Sequence, residues 1–344
     1  MTYQSQRFDF VAAGIPAVNR LARPAVRDLG LADWVQAKSR EHGLEVRVSD
    51  AGQRSALLAR MLGGRRQFLD LFAGPFLGAL HGMRPTSATS SHAYPHRDGV
   101  ALSSEQGVLT FGGLCARMPD TSREQARALA DTALRAGVLR RGLVLGCAVC
   151  EEVQFQPLER LGQTWTCLRC GATGQLDLAA WRMPVDVPTW FYDLHPVARH
   201  FLRDHGEVSV LLSAHLASQT PRLPKAVFQD VEELEFALQG TPRVEVDLIT
   251  YNDDILTVAE CKSTDHLAGG KAKGQAEVAK KCQAVEWLQA DRLLFATTAL
   301  TWSEATRNVI RGGVATYPWG PLGAPEVRLV TGLGTPEVLD ERLL

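Results

Sequence analysis

The sequence predicts a multidomain α+β protein: a mainly helical N-terminal region, a small metal-held module and a C-terminal α/β domain. Three observations predict it. The chain has 344 residues, more than one hydrophobic core usually serves, so roughly two to four units are expected. Two CxxC pairs, at 147–150 and 167–170, interrupt it midway. Beyond residue 240, two β-branched runs flank a turn and are followed by helix, strand and helix patterns.

At 45% hydrophobic and 22% charged, the composition suits a soluble globular protein. No apolar run approaches the ~20 residues that span a bilayer. The start, MTYQSQRFDFVAAGIPAVNR, lacks the basic and long apolar stretches of a signal peptide. A cytoplasmic protein with no membrane partner is expected. Seven cysteines, four of them in CxxC pairs, fit a reducing compartment and a metal site better than a disulfide framework.

Residues 1–90 read as the helical region. Helical spacing marks 54–62 and 67–80, and LEVRVSDAG (44–52) reads as a strand ending in a turn. Residues 82–99, poor in aliphatics and rich in Ser, Thr, Pro and His, read as a loop and boundary. A second unit is expected over 100–146. Residues 103–118 suggest a helix. Asp120, Thr121 or Ser122 then caps another that ends near Gly137, and the strand LVLGC follows. This order resembles a winged helix-turn-helix. The resemblance implies nucleic-acid binding through the second helix, with Arg123, Arg127, Arg135, Arg140 and Arg141 near it. A packing or protein–protein module is the alternative of equal weight. Charge favours neither. Residues 1–146 hold 19 basic and 12 acidic side chains, a net +7, and the rest a net −8. Ordinary surface variation gives such differences too.

Residues 147–180 form the metal module. Cys147, Cys150, Cys167 and Cys170 are two CxxC pairs separated by 16 residues. Each CxxC turn presents two thiolates at one point, and the intervening strands bring the pairs together in a tetrahedron suited to Zn²⁺. The motif resembles a zinc ribbon. With four thiolates no coordination position stays open, so the zinc is expected to be structural. A redox CxxC is the weaker alternative. The ribbon either grips nucleic acid or a partner, or staples the N-terminal half to residues 190–344, the preferred reading. The histidines at 195, 200, 205 and 215 recur at five, five and ten residues, where a helical ligand pair wants three or four. They read as ordinary histidines.

VEVDLIT (244–250) and ILTVAEC (255–261) make a β-hairpin around YNDD. Glu260 and Lys262 share a face. A two- or four-residue loop centred on Asn252–Asp253 sets Asp247 opposite Val258 and one diagonal step from Glu260, on that same face. A three-residue loop turns Asp247 away. Both faces of the strands are otherwise apolar, as in central strands covered by helices. Charges there are costly unless paired or metal-bound. A Lys262–Glu260 salt bridge at a sheet edge is the blander alternative.

The pattern Asp247-x12-Glu260-x-Lys262 resembles the PD-(D/E)xK nuclease superfamily, the restriction-endonuclease-like and Holliday-junction-resolvase-like enzymes. The proline that often precedes the aspartate is Val246. A helix over 269–291, a strand over 292–300, a helix over 302–313 and a last strand at VATYP match the family's αβββαβ core. Its first helix would fall at 193–218 and its first strand within 226–238, so the domain is expected over 190–344.

The resemblance implies a Mg²⁺- or Mn²⁺-dependent endonuclease-type phosphodiesterase acting on nucleic acid, DNA first. Asp247 and Glu260 would hold the cation with the backbone carbonyl of Cys261, and Lys262 would orient water or stabilise developing charge. Glu207, Glu233, Glu235 and Glu245 are candidate accessory acids, and Gln275 a candidate contact from the following helix. Analogy adds restriction, anti-phage defence or DNA processing, a protein activator and a homodimer. The alternative is a non-catalytic nucleic-acid-binding adaptor or regulator built on the winged helix and ribbon.

Overall fold

The computed structural model describes residues 30–84, 99–102, 106–177, 180, 189–220 and 228–344. The loop expected at 82–99 lies mostly outside them. Among the described residues the chain is a mixed α/β protein of ten α-helices and fourteen strands, and no helix is long and apolar enough to cross a membrane. Two compact units divide it: residues 50–211, and residues 30–49 with 212–344. The division falls at Leu211–Leu212, beyond the boundary expected near 190.

The described chain opens with α1 (Leu31–Arg40) and β1 (Leu44–Val48), both part of the second unit. The first unit begins with α2 (Asp50–Met61), α3 (Arg65–Phe72) and α4 (Leu77–Gly82). Next come β2 (Gly99–Ala101), β3 (Gly107–Thr110), α5 (Phe111–Ala116), α6 (Arg123–Arg135) and β4 (Leu139–Gly146). The helix expected over 103–118 is therefore a strand and a short helix. Gly107–Thr110 pairs with β2, and the Thr110 hydroxyl accepts from Gly113 N–H to start α5. Ser122 caps α6 in a reciprocal box with Gln125, and Gly137 at φ 72° ends that turn.

The unit continues with β5 (Val153–Pro157), β6 (Thr164–Thr166), β7 (Thr173–Gln175), β8 (Phe191–Leu194) and α7 (Pro196–Arg203). Its antiparallel sheet runs β2-β3-β8-β4-β5, so β8 inserts between the expected wing strand and β3. Phe201 of α7 meets Phe68 and Phe72 of α3 edge-on, with centroids 5.7 and 5.3 Å away. The single helix expected over 193–218 is broken. His205 at φ 59° and Gly206, where a Cβ would sit 2.4 Å from the Phe201 ring, separate α7 from α8 (Glu207–Gln219).

The second unit adds β9 (Phe228–Leu238), β10 (Thr241–Asn252), β11 (Ile255–Lys262), α9 (Lys271–Leu288), β12 (Arg292–Thr297), α10 (Glu304–Thr316), β13 (Glu326–Thr331) and β14 (Leu339–Arg342). The sheet order is β1-β9-β10-β11-β12-β13-β14. β11, β12 and β13 are parallel neighbours joined through α9 and α10, and the other pairs are antiparallel. The strand expected at VATYP is the end of α10, because Val314 extends the buried stripe of Thr306 and Ile310. The last parallel strand lies further on, at β13.

One face of this sheet carries the core. Val278, Cys282, Val285 and Leu288 of α9 and Ile310 and Val314 of α10 pack with Val258, Leu293, Phe295 and Leu329, all at most 3% exposed. Each fully buried aliphatic of this size contributes about 1.5–3 kcal/mol. A charge placed among them needs specific compensation.

Candidate functional sites

Each CxxC sits in the turn of a hairpin. Cys147 and Cys150 lie in the β4–β5 turn, where Gly146 pairs with Val153. Cys167 and Cys170 lie in the β6–β7 turn, where Thr166 pairs with Thr173. All four Sγ atoms fall within 4.8 Å of one another, and the Cys147–Cys170 and Cys150–Cys167 pairs are 3.6 Å apart. A tetrahedron with Zn–S bonds of about 2.3 Å has edges of about 3.8 Å, so the cysteines are placed to bind a metal ion, consistent with structural zinc. Backbone geometry supports the thiolates. Val149 N–H points at Cys147 Sγ (3.4 Å), and the Gln154 amide donates to Cys167 Sγ (3.0 Å). Burial works against ionising Cys167, but N–H groups of Cys170 and Arg169 and the Gln154 amide outweigh it and lower the thiol to about 6.

The histidines play other parts. His195 Nδ1 caps α7 through Val197 N–H (3.2 Å), and His215 meets Gln219 (2.9 Å). Among the described residues only the cysteines form a ready group of three or more metal-ligand side chains.

The second site lies on β10 and β11. Its hairpin has a two-residue loop, Asp253–Asp254, at φ 48° and 67°, with Tyr251 OH donating to Asp254 (2.6 Å). The loop is even, but centred one residue further along than expected. Ile249 therefore faces Val258 and Leu248 faces Ala259. One more step puts Asp247 directly opposite Glu260, not diagonal to it. The backbone ladder stops at Leu248, and the Asp247 carboxylate takes its place by accepting from Cys261 N–H (2.6 Å).

Glu260 is 1% exposed. Lys262 Nζ lies 2.6 Å from its Oε1, and Lys281 of α9, 3% exposed, forms an ion pair with its Oε2. Lys281 also donates to the Glu245 carbonyl. Burial alone would raise the Glu260 carboxyl, but the Lys281 and Lys262 charges overcome it and hold the group below its usual range. The same carboxylate raises both lysines against the effect of their burial. Asp247 goes the other way. Burial first, then repulsion from Glu260, pushes it up to about 7. Burial, Asp247, Glu232 and Glu245 push Glu233 well above the carboxylate range.

Glu233 stands opposite Asp247 on β9, between the pairs Val246–Leu234 and Leu248–Glu232, with a left-handed φ of 54°. Of the accessory acids, it is the one this geometry brings to Asp247. Glu207 belongs to the first unit. It opens α8 beside His81 (3.1 Å) and His205 (3.9 Å), which outweigh its burial and lower it to about 2. The helix break at 204–206 puts it there. Glu235 pairs with Arg47 (2.5 Å) across β1, and the Glu245 side chain and Gln275 are exposed.

Lys281 is the residue that sequence reasoning missed. Its signal is periodic: Gly274, Val278, Lys281, Val285 and Leu288 share the buried stripe of α9. A lysine inside such a stripe needs a buried partner, and Glu260 is that partner.

No known protein-family model matches the chain, and no curated protein matches its sequence. Among solved structures, the protein VC1899 from Vibrio cholerae aligns at 13% identity over 87% of this chain and 57% of its own, with a TM-score of 0.33. Can2 from Sulfobacillus thermosulfidooxidans, solved in complex with cyclic tetra-adenylate, aligns at 13% identity over 81% of this chain and 55% of its own, with a TM-score of 0.29. The chain spans a little over half the length of either structure. Likenesses this distant carry no argument, and the functional reading rests on the residues.

Proposed function

We propose that the second unit is a metal-dependent nuclease of the PD-(D/E)xK kind, hydrolysing phosphodiester bonds in nucleic acid, with DNA as the first substrate to test. The observation that carries this is the facing pair Asp247 and Glu260 on adjacent strands, with Lys262 one residue pair further along β11. The order β9–β10–β11–α9–β12–α10 agrees with the core that the motif implies.

The donor set fits Mg²⁺ or Mn²⁺. Two hard carboxylates stand together where burial and mutual repulsion hold one of them near pH 7, a frustration that a divalent cation relieves. Asp247, Glu260 and the Cys261 carbonyl would hold the ion. When bound it polarises a phosphoryl oxygen and lowers the pKa of a water.

Exposure assigns the two lysines different tasks. The Lys262 side chain is 31% exposed and can reach a phosphate or an attacking water, stabilising the charge that develops. Lys281 is 3% exposed and cannot. It keeps Glu260 in place and ionised. Asp247 is anchored by Cys261 N–H, so the carboxylates are held before substrate arrives.

One observation favours a second reading, a non-catalytic nucleic-acid-binding adaptor. Two ammonium groups already neutralise Glu260, as in a purely structural ion network. One assay separates the readings. Purified protein with Mn²⁺ or Mg²⁺ is offered single-stranded, double-stranded and branched DNA and RNA, beside Asp247→Ala and Lys262→Ala. The nuclease reading expects cleavage by the wild type and at least a hundredfold loss in both variants. Uncut substrates, or equal cutting by the variants, leave the adaptor.

A further inference from the structure

We infer that one face of the first unit, built on Phe111, Arg123, Arg127, Arg141, Trp190 and Tyr192, binds single-stranded nucleic acid. The residues form a continuous series. Arg123 and Arg127 of α6 lie over the Phe111 ring at 5.0 and 6.0 Å. The Phe111 and Tyr192 centroids are 6.5 Å apart. Tyr192 on β8 pairs with Arg141 on β4, and the Arg141 guanidinium lies over Trp190 at 5.7 Å. The three arginines are exposed, and Trp190 is 45% exposed.

Charge sets these arginines apart from their neighbours. Arg140 and Arg199 are held by Asp193, which is fully buried (2.7 and 2.5 Å). Among the described residues Arg123, Arg127 and Arg141 form no ion pair; each meets only an aromatic ring. Exposed guanidinium planes backed by rings attract phosphates and offer flat cationic surfaces on which bases stack. A duplex keeps its base faces stacked and offers phosphates and groove edges but no open base plane. An unpaired strand uses both the charge and the exposed Trp190 ring, with the half-buried Phe111 and the buried Tyr192 backing the series.

This surface belongs to the first unit and the carboxylate site to the second, and its test needs no cleavage. Binding of a fluorescent, mixed-sequence DNA strand of about 15 nucleotides is followed by anisotropy in EDTA, beside a duplex and an RNA of the same length. The wild type binds either single strand at least tenfold tighter than the duplex. The triple variant Arg123→Gln, Arg127→Gln, Arg141→Gln weakens single-strand binding at least tenfold and lowers the slope of log K against log salt by about 2, at ~0.7 per lost phosphate contact. Trp190→Ala weakens it roughly fivefold or more with the slope unchanged. Arg66→Gln, at an exposed arginine of the same unit, is the control. Circular dichroism establishes that each variant is folded. A duplex preference, unchanged affinity in the folded triple variant, or equal loss from Arg66→Gln overturns the proposal.

Discussion

The four-cysteine cluster and the Asp247–Glu260 pair are both built on β-hairpins, and they solve opposite problems. The cysteines sit in the turns, where the backbone is free to aim two thiolates at one point, and N–H partners draw Cys147 and Cys167 toward the ionised form. The carboxylates sit within strands, among side chains that repel charge, and two lysines satisfy one acid while the other is left raised. A metal at the first site completes a local fold. At the second it would relieve a tension that the fold already bears. The difference between completing and relieving can be measured.

The largest expected effect is at the cysteines. Binding free energy at a structural zinc site is folding free energy, on the order of 10 kcal/mol in isolated fingers. Purified protein should carry one zinc per chain by elemental analysis. Cys167→Ser should lose it and melt the β6–β7 hairpin, lowering Tm further than the loss of any single ion pair at the carboxylate site. Protein that is zinc-free yet melts as well as zinc-loaded protein would break the comparison.

Next is Lys281. Lys281→Met leaves Glu260 buried with Lys262 alone, and removing one partner of a buried pair costs about 3–5 kcal/mol. Adding Glu260→Leu removes the stranded charge and should recover most of that loss in urea denaturation. If the double variant is no more stable than Lys281→Met, the loss does not come from a stranded Glu260 charge.

Asp247 comes third, with the sign reversed. Its folded pKa, about 7, lies above its unfolded value near 3.8. The folded protein then holds this proton more tightly than the unfolded chain, so the contribution is present at pH 4 and is lost as pH rises to about 7. Asp247→Asn should stabilise the metal-free protein at pH 8 by up to a few kcal/mol and change little at pH 4, while abolishing any metal-dependent cleavage. Equal stability changes at the two pH values would remove the tension from the account.

The same contrast explains what the sequence made legible. The cysteine spacing reads directly, because each ligand pair is set by one short turn. The hairpin, and the grouping of Asp247, Glu260 and Lys262 as candidates, also follow from local pattern. The register did not, because YNDD allows a turn at 252–253 or at 253–254, and the ladder pairs decide for the later one. Lys281 was invisible for a physical reason: a helical lysine defaults to solvent, and only the sheet beneath α9 supplies its partner. The break before Glu207 was not legible either, because apolar spacing alone would continue the helix through His205 and Gly206.

The smallest test compares the two cysteine turns with each other. After Cys170 the chain turns through Gly171 at φ 75°, and after Cys150 through Glu151 at φ 58°. Both residues donate their N–H to the first cysteine carbonyl of their turn, Gly171 to Cys167 (2.9 Å) and Glu151 to Cys147 (3.0 Å). The backbones do the same work, but only one carries the residue suited to a left-handed φ. A Cβ at Gly171 would meet nothing within 4 Å, so Gly171→Ala tests conformation without crowding. It should cost about 1 kcal/mol, and Glu151→Gly should gain somewhat less, because glycine also loosens the unfolded chain. Zinc release rates under a chelator should follow the same order: Gly171→Ala fastest, wild type next, Glu151→Gly slowest. The reverse order would mean that Glu151 steadies its turn through its side chain, and that the two turns are not equivalent halves of one site.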